Sequence, residues 1–153
     1  MATDILIVNG PNLNMLGLRE PEVYGAQTLK DIENACEQLC SELCLSMCWF
    51  HSNHEGEMVT AIQDSAFKTS PKPARGLIIN AAAYTHTSVA LHDAVSMFEG
   101  PCIEIHLSNT MAREPFRHHS YLSAVSDGII LGFGIDSYRL AIRGIQAKLS
   151  ATG

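Results

Sequence analysis

Basic residues are scarce in this chain: ten Lys and Arg stand against 16 Asp and Glu, a formal net charge of −6 over 153 residues. DNA or RNA binding needs a positive footprint, so nucleic acid is not expected as a partner. Long apolar runs are missing too. No stretch reaches the roughly 18 residues that mark a membrane span, and Met1-Ala-Thr-Asp4 lacks the basic lead of a secretory signal. The 11 Gly and 6 Pro follow no period, and 46% of the residues are apolar or aromatic, which excludes collagen-like, low-complexity and disordered chains. These absences leave a soluble, acidic protein, expected to form one domain over residues 1–153, since domains usually hold about 100–200 residues.

Cysteine is present in an odd number, five, with Cys36, Cys40, Cys44 and Cys48 at four-residue intervals. A metal needs convergent ligands, and a disulfide framework belongs to small secreted chains. The expectation is that Cys36, Cys40 and Cys44 ride one side of a helix with Ile32, Leu39 and Leu43, and that Cys48 falls in a strand. All five then act as small buried hydrophobes in a reducing cytosol.

Apolar runs alternate with helical periodicity along the chain. Strands are expected at about Asp4–Asn9, Leu45–His51, Gly76–Asn80, Cys102–Leu107 and Gly128–Gly132. Helices are expected from Thr28 to about Leu43, Glu55 to Lys68, Thr87 to Met97 and Asp136 to Leu149. Thr28 with Asp31 makes an imperfect capping box, Ser52-Asn53 caps the second helix, and Thr85 or Thr87 caps the third. Strands that are apolar on both faces and alternate with helices imply an α/β protein: a five-stranded parallel sheet covered by helices on both sides. The commonest open order is 2-1-3-4-5, with ligands beyond the strand C-termini where the order reverses. In that order Asn9 and Asn12, Asn80, and the Glu104–Ser108 segment line one crevice.

Several residue types there carry chemistry. Glu104 and His106 are two apart on a strand and share a face, so the carboxylate can fix the tautomer of the imidazole and prepare a general acid; a self-satisfied buried pair is the plain alternative. The loop from Asn9 to Gly25, about 18 residues where 2–6 are usual, has the length of a lid, centred on about residues 17–26. It carries Arg19 and Tyr24. A phenol with a pKa of about 10 is ionised to about one part in a thousand at pH 7, and a nearby cation lowers a pKa by about 1–3. Arg19 could thus convert Tyr24 into a usable base. Asn80, followed by small residues, and His86 near a helix start suit hydroxyl- and carboxylate-rich ligands. Arg113 and Arg117, with Arg19, make up three of the six arginines. Gathered beside a crevice of an acidic protein, they suggest a small anionic substrate.

Asn9-Gly-Pro-Asn-Leu-Asn-Met-Leu-Gly17, Arg19-Glu-Pro21, Tyr24-Gly25, Ser52-Asn-His-Glu-Gly-Glu57, Thr85-His-Thr-Ser-Val-Ala-Leu91, Glu104-Ile-His-Leu-Ser-Asn109, Arg113-Glu114 and Arg117-His-His-Ser-Tyr121 resemble the motifs of the type II 3-dehydroquinate dehydratase family. The resemblance runs from about Ile5 to Arg143, with one departure in Ala81-Ala-Ala-Tyr84, where the family often has glycine.

It implies a flavodoxin-like three-layer α/β/α sandwich, a homododecamer built of trimers, a cytoplasmic location, and no cofactor or metal. The implied reaction is anti elimination of water from 3-dehydroquinate through an enolate, in aromatic amino acid biosynthesis or quinate breakdown. By position, Tyr24 would be the base and Arg19 its activating cation. Asn12 would hold a water at the enolate oxygen, and His106 would be the acid, oriented by Glu104. Asn80 with the backbone of Leu107 and Ser108 would hold the carboxylate. His86, Arg117 and Asp93, the last from a neighbouring subunit, would contact the ring hydroxyls, with Arg113 near the lid.

Two other classes fit poorly. A receiver-type or flavin-binding module would need clustered acids or a phosphate cradle after the first strand, where Asn9 and Asn12 stand instead. A metal-dependent hydrolase would have to use His51, His54, Glu55, Glu57 or His118-His119, whose spacings match no helical His pair.

Overall fold

The computed structural model describes residues 2–24 and 26–151, the side chains of Val23 and Tyr24 excepted. In chain order the elements are β1 (Thr3–Asn9), a one-turn α1 (Pro21–Tyr24), α2 (Leu29–Glu42), β2 (Met47–His51), α3 (Glu55–Gln63), β3 (Ala74–Asn80), α4 (Val89–Met97), β4 (Cys102–His106), β5 (Gly128–Leu131) and α5 (Asp136–Ala151). All strand pairs are parallel, in the order β2-β1-β3-β4-β5. This is the flavodoxin-like α/β arrangement expected from the sequence.

Strand periodicity explains the three layers. In β1, Ile5 and Ile7 point to one side of the sheet and Leu6 and Val8 to the other. The first pair joins Ile32 and Cys36 of α2 and Tyr138, Ile142 and Ile145 of α5. The second joins Met58 and Ile62 of α3 and Leu91 and Val95 of α4. Both clusters are buried, and each large aliphatic side chain contributes about 1.5–3 kcal/mol on burial. A sheet apolar on both faces therefore has to be sandwiched.

Local signals set the helix ends. The capping box of α2 is complete: Asp31 N–H donates to Thr28 Oγ1 at 3.1 Å, and Thr28 N–H donates to Asp31 Oδ2 at 3.0 Å. Asp therefore does the work usually given to Glu or Gln. The helix stops in a paired reverse-turn motif, with Leu45 N–H donating to Cys40 O and Cys44 N–H to Ser41 O. That motif requires a left-handed residue, here Cys44 at φ 57°.

Four expectations need correction. Cys44 leaves the helix and is exposed, because the left-handed turn throws its side chain out; Cys48 is exposed on the edge strand, beside a groove between β2 and α3. Only Cys36, Cys40 and Cys102 are buried. Helix α3 ends at Gln63, five residues short of Lys68: Ser70 Oγ donates to the Gln63 carbonyl and accepts the Phe67 N–H, closing a turn there. The α3 cap residue is His54, while Ser52 Oγ accepts the His54 N–H at 2.9 Å. Helix α4 is capped by Ser88, which accepts the Leu91 N–H at 2.8 Å, not by Thr85 or Thr87. The connections between these elements contain short 3-10 turns at Leu13–Met15, Ala82–His86, Thr110–Ala112, Pro115–Arg117 and Ser123–Val125.

Candidate active site

The last residues of β1 and β3, Asn9 and Asn80, are register partners. Beyond them the chain leaves the sheet in opposite directions, and the gap between the two turns becomes a crevice. The turns touch: Gly10 N–H donates to Asn80 O at 2.8 Å, and a Cβ at Gly10 would lie 2.4 Å from the Ala81 carbonyl oxygen. Only glycine permits that approach. Two residues on, Asn12 takes a left-handed conformation, φ 68°, which asparagine tolerates better than most. Its N–H donates to Asn53 Oδ1 at 2.9 Å, and Tyr84 Oη donates to Asn53 O at 2.7 Å. The turn after β1 is thus pinned from both sides.

The crevice is a pocket of about 240 Å³, matched to a single small ring. Asn12 and Arg19 line it from the β1 side, Asn80 and His86 from the β3 side. His106, Leu107, Ser108, Arg113 and Arg117 line it from β4 and the following turns. Nine of the twelve residues expected at the site therefore share one cavity. Glu104 sits behind His106. Asp93 lies apart, exposed on α4, 3.1 Å from His92 Nδ1. The side chain of Tyr24 falls outside the described residues.

Glu104 and His106 are both buried, and Nε2 of His106 lies 2.6 Å from Glu104 Oε2. Burial pushes the Glu104 carboxyl up, but hydrogen bonds from His106 and Ser123, the charge of His106, and a bond from Ser120 more than offset it and hold the group at about 2. The carboxylate is ionised, so Nε2 carries a proton and Nδ1 remains for a ligand. Thr85 Oγ1 (2.8 Å) and Ser120 Oγ (2.7 Å) reach the same Oε2, and Ser123 Oγ donates to Oε1 at 2.6 Å. The Thr85 and Ser120 oxygens are themselves 2.6 Å apart; with one proton each, they share the carboxylate between them.

His86 stacks on His106 at 6.5 Å between ring centroids. Its Nδ1 lies 2.7 Å from the His119 carbonyl oxygen, so that nitrogen bears the proton and Nε2 is an acceptor. Burial, then the nearby charges of His106 and Arg117, lower its pKa despite the His119 carbonyl and Glu104, favouring the neutral ring. Cationic groups crowd the mouth. Arg19 pairs with Glu20 at 3.4 Å, Arg117 with Glu114, and Arg113 reaches Ser108 Oγ at 3.4 Å.

Sequence reasoning missed the supports of this site. Asn53 reads from the sequence only as a helix cap and Ser120 only as part of the Arg117–Tyr121 motif; Ser123 lies outside the motifs, and Thr110, buried against the pocket, reads as an ordinary turn residue. Three of the residues weighed for a metal take other partners: His118 Nε2 lies 2.9 Å from the Arg113 carbonyl oxygen, His119 packs edge-on against Tyr121, and Glu57 accepts from Ser52. Among the described residues no three His, Cys, Asp or Glu side chains gather as a metal site requires, and no helix is long and apolar enough to cross a membrane.

The sequence model described as "Dehydroquinase class II" matches residues 3–146. The chain belongs to the class II dehydroquinase family. Membership makes it an enzyme of the hydro-lyase type. It is 52% identical over 145 residues to a 3-dehydroquinate dehydratase of Cereibacter sphaeroides, covering 95% of each chain. It is 49% identical over 152 residues to one of Rhodopseudomonas palustris, covering 99% of this chain and 98% of that one. The crystal structure of a type II dehydroquinase from Butyrivibrio crossotus superposes with a TM-score of 0.88 at 37% identity, over 95% of this chain and 98% of that one.

Proposed function

We propose that this family member removes water from 3-dehydroquinate by anti elimination, giving 3-dehydroshikimate through an enolate. Tyr24, as phenolate, takes the C2 proton, and the electron pair of that bond moves toward the C3 carbonyl to form the enolate. Asn12 holds a water against the developing enolate oxygen, a preorganised dipole of the oxyanion-hole kind. Collapse of the enolate forms the C1–C2 double bond and breaks the C1–O bond. The departing hydroxyl takes a proton from His106 and leaves as water. His106 can act as the acid only when doubly protonated, with Nδ1–H toward the pocket and Nε2–H held on Glu104.

Arg19 is assigned to lower the pKa of Tyr24, and Arg113 to add positive charge near the lid at about residues 17–26. Asn80 and the backbone at Leu107 and Ser108 bind the substrate carboxylate. The neutral His86 and Arg117 bind ring hydroxyls, joined by Asp93 of a neighbouring subunit in a homododecamer of trimers. The residues named need no cofactor for these steps. The setting is the cytoplasm, and the step belongs to aromatic biosynthesis or quinate metabolism.

One observation carries this reading: a ring-sized pocket in which a carboxylate-anchored imidazole faces asparagine amides and three arginines. The test is to offer the purified protein 3-dehydroquinate and follow the ultraviolet absorbance of the conjugated product. Substrate deuterated at C2 on the face opposite the leaving hydroxyl should lose its label. Retained label, or no absorbance change, refutes the reading.

A further inference from the structure

Tyr138 of α5 has no part in the reaction just described, yet it is fully buried with its hydroxyl aimed under the pocket floor. Burial pushes its phenol well above the ordinary value, so the group is a neutral hydroxyl with one proton to give. That proton goes to Asn9 Oδ1 at 2.6 Å, and Asn80 Nδ2 donates to the phenol oxygen at 2.9 Å. Each amide is also held at its other end. Asn9 Nδ2 donates to the Phe50 carbonyl at 3.0 Å, and Asn80 Oδ1 accepts the Ala82 N–H at 3.2 Å.

The result is one directed chain of donation, from Ala82 through Asn80, Tyr138 and Asn9 to Phe50. Turning either amide over would set donor against donor and acceptor against acceptor. Asn80 has two amide hydrogens, of which Tyr138 engages one; the other is left for the pocket that Asn80 lines.

We propose that Tyr138 is a positioning residue: its hydroxyl fixes the Asn80 amide so that a hydrogen-bond donor is held ready for the substrate carboxylate. This rests on the proposed role of Asn80. A tyrosine that merely filled the core would need no hydroxyl there, and the ring alone already packs against Trp49 at 5.8 Å between centroids.

The experiment compares Tyr138→Phe with Asn80→Ala in the full-length protein. The readouts are KM for 3-dehydroquinate and the competitive inhibition constants of quinate and of its methyl ester, which keeps the ring but lacks the carboxylate charge. For Tyr138→Phe, KM and the quinate constant should rise about tenfold, the scale of one charge-assisted hydrogen bond, while the ester constant moves by less than about twofold. A purely structural loss would move acid and ester together, and that result overturns the proposal. If Asn80→Ala discriminates acid from ester and Tyr138→Phe does not, the proposal falls and the role of Asn80 stands. If Asn80→Ala does not discriminate, the carboxylate assignment of Asn80 fails and the proposal falls with it. Should Tyr138→Phe not fold, Asn9→Ala tests the same chain, because it frees the phenol's proton to swing toward Asn80; the same selective rise is expected, and equal or absent changes refute the proposal.

Discussion

Replacing Glu104 by glutamine keeps the shape of the side chain and removes its charge. Glu104 is 1% exposed, where an uncompensated carboxylate would be costly; His106, Ser123, Ser120 and Thr85 compensate it. A carboxyl that titrates at about 2 in the folded protein and at its ordinary 4.5 in the unfolded chain contributes about 3 kcal/mol at neutral pH. The folded value is depressed, so this contribution is complete above about pH 4.5 and disappears as the pH falls through about 2. Glu104→Gln should therefore be about 3 kcal/mol less stable than the parent at pH 7. The gap should narrow steadily below pH 4.5 and close near pH 2. Urea unfolding followed by Trp49 fluorescence, at one fixed protein concentration so that any assembly contributes equally, reads the difference directly. A gap that stays constant from pH 7 to pH 2 would refute the assignment of an ionised, depressed Glu104.

Other outcomes follow from the same structure. Tyr24→Phe should abolish turnover while 3-dehydroquinate still binds by calorimetry; near-normal turnover would remove the phenol from the chemistry. Arg19→Ala should shift the base-dependent limb of the pH–rate profile to higher pH, and an unchanged profile would exclude it as the activating cation. Ala82 has φ 52°, a conformation costing an L-residue roughly 1–2 kcal/mol, part of which glycine returns to the unfolded chain. Ala82→Gly should therefore stabilise by about 0.5 kcal/mol, seen as a higher denaturation midpoint; a lower one contradicts the strain. Burial raises the thiol pKa to about 12 at Cys36, about 11 at Cys40 and about 12 at Cys102, so a thiol reagent at pH 8 should label Cys44 and Cys48 rapidly and the other three only on unfolding.

Much of the architecture was legible because continuous apolar runs such as Ile5–Val8 and Leu77–Ile79 have few homes other than a buried parallel sheet. The polar residues at their ends marked the crevice for the same reason: asparagine closing an apolar run is out of place unless the run ends at a surface with work to do. Hidden from the sequence were interactions between distant positions. Glu104 meets Ser120 and Ser123 only after the chain has passed through two 3-10 turns. Tyr138 meets Asn9 across 129 residues. Cys44 misled because helical spacing continues through it, whereas the decisive fact is the reverse turn that ends α2 at Glu42. The early end of α3 is similar: a hydroxyl seven residues downstream of Gln63 satisfies its carbonyl, and periodicity cannot foresee that.

Tyr138 also has a temporal consequence. During synthesis Asn9 and Asn80 leave the ribosome 129 and 58 residues before the phenol that bridges them. Until α5 docks, two amides at the pocket floor have no common partner, so a nascent chain can hold nearly every residue that faces the pocket and still lack a finished floor. On the role proposed for Tyr138, the grip on the substrate carboxylate then tightens only when α5 docks.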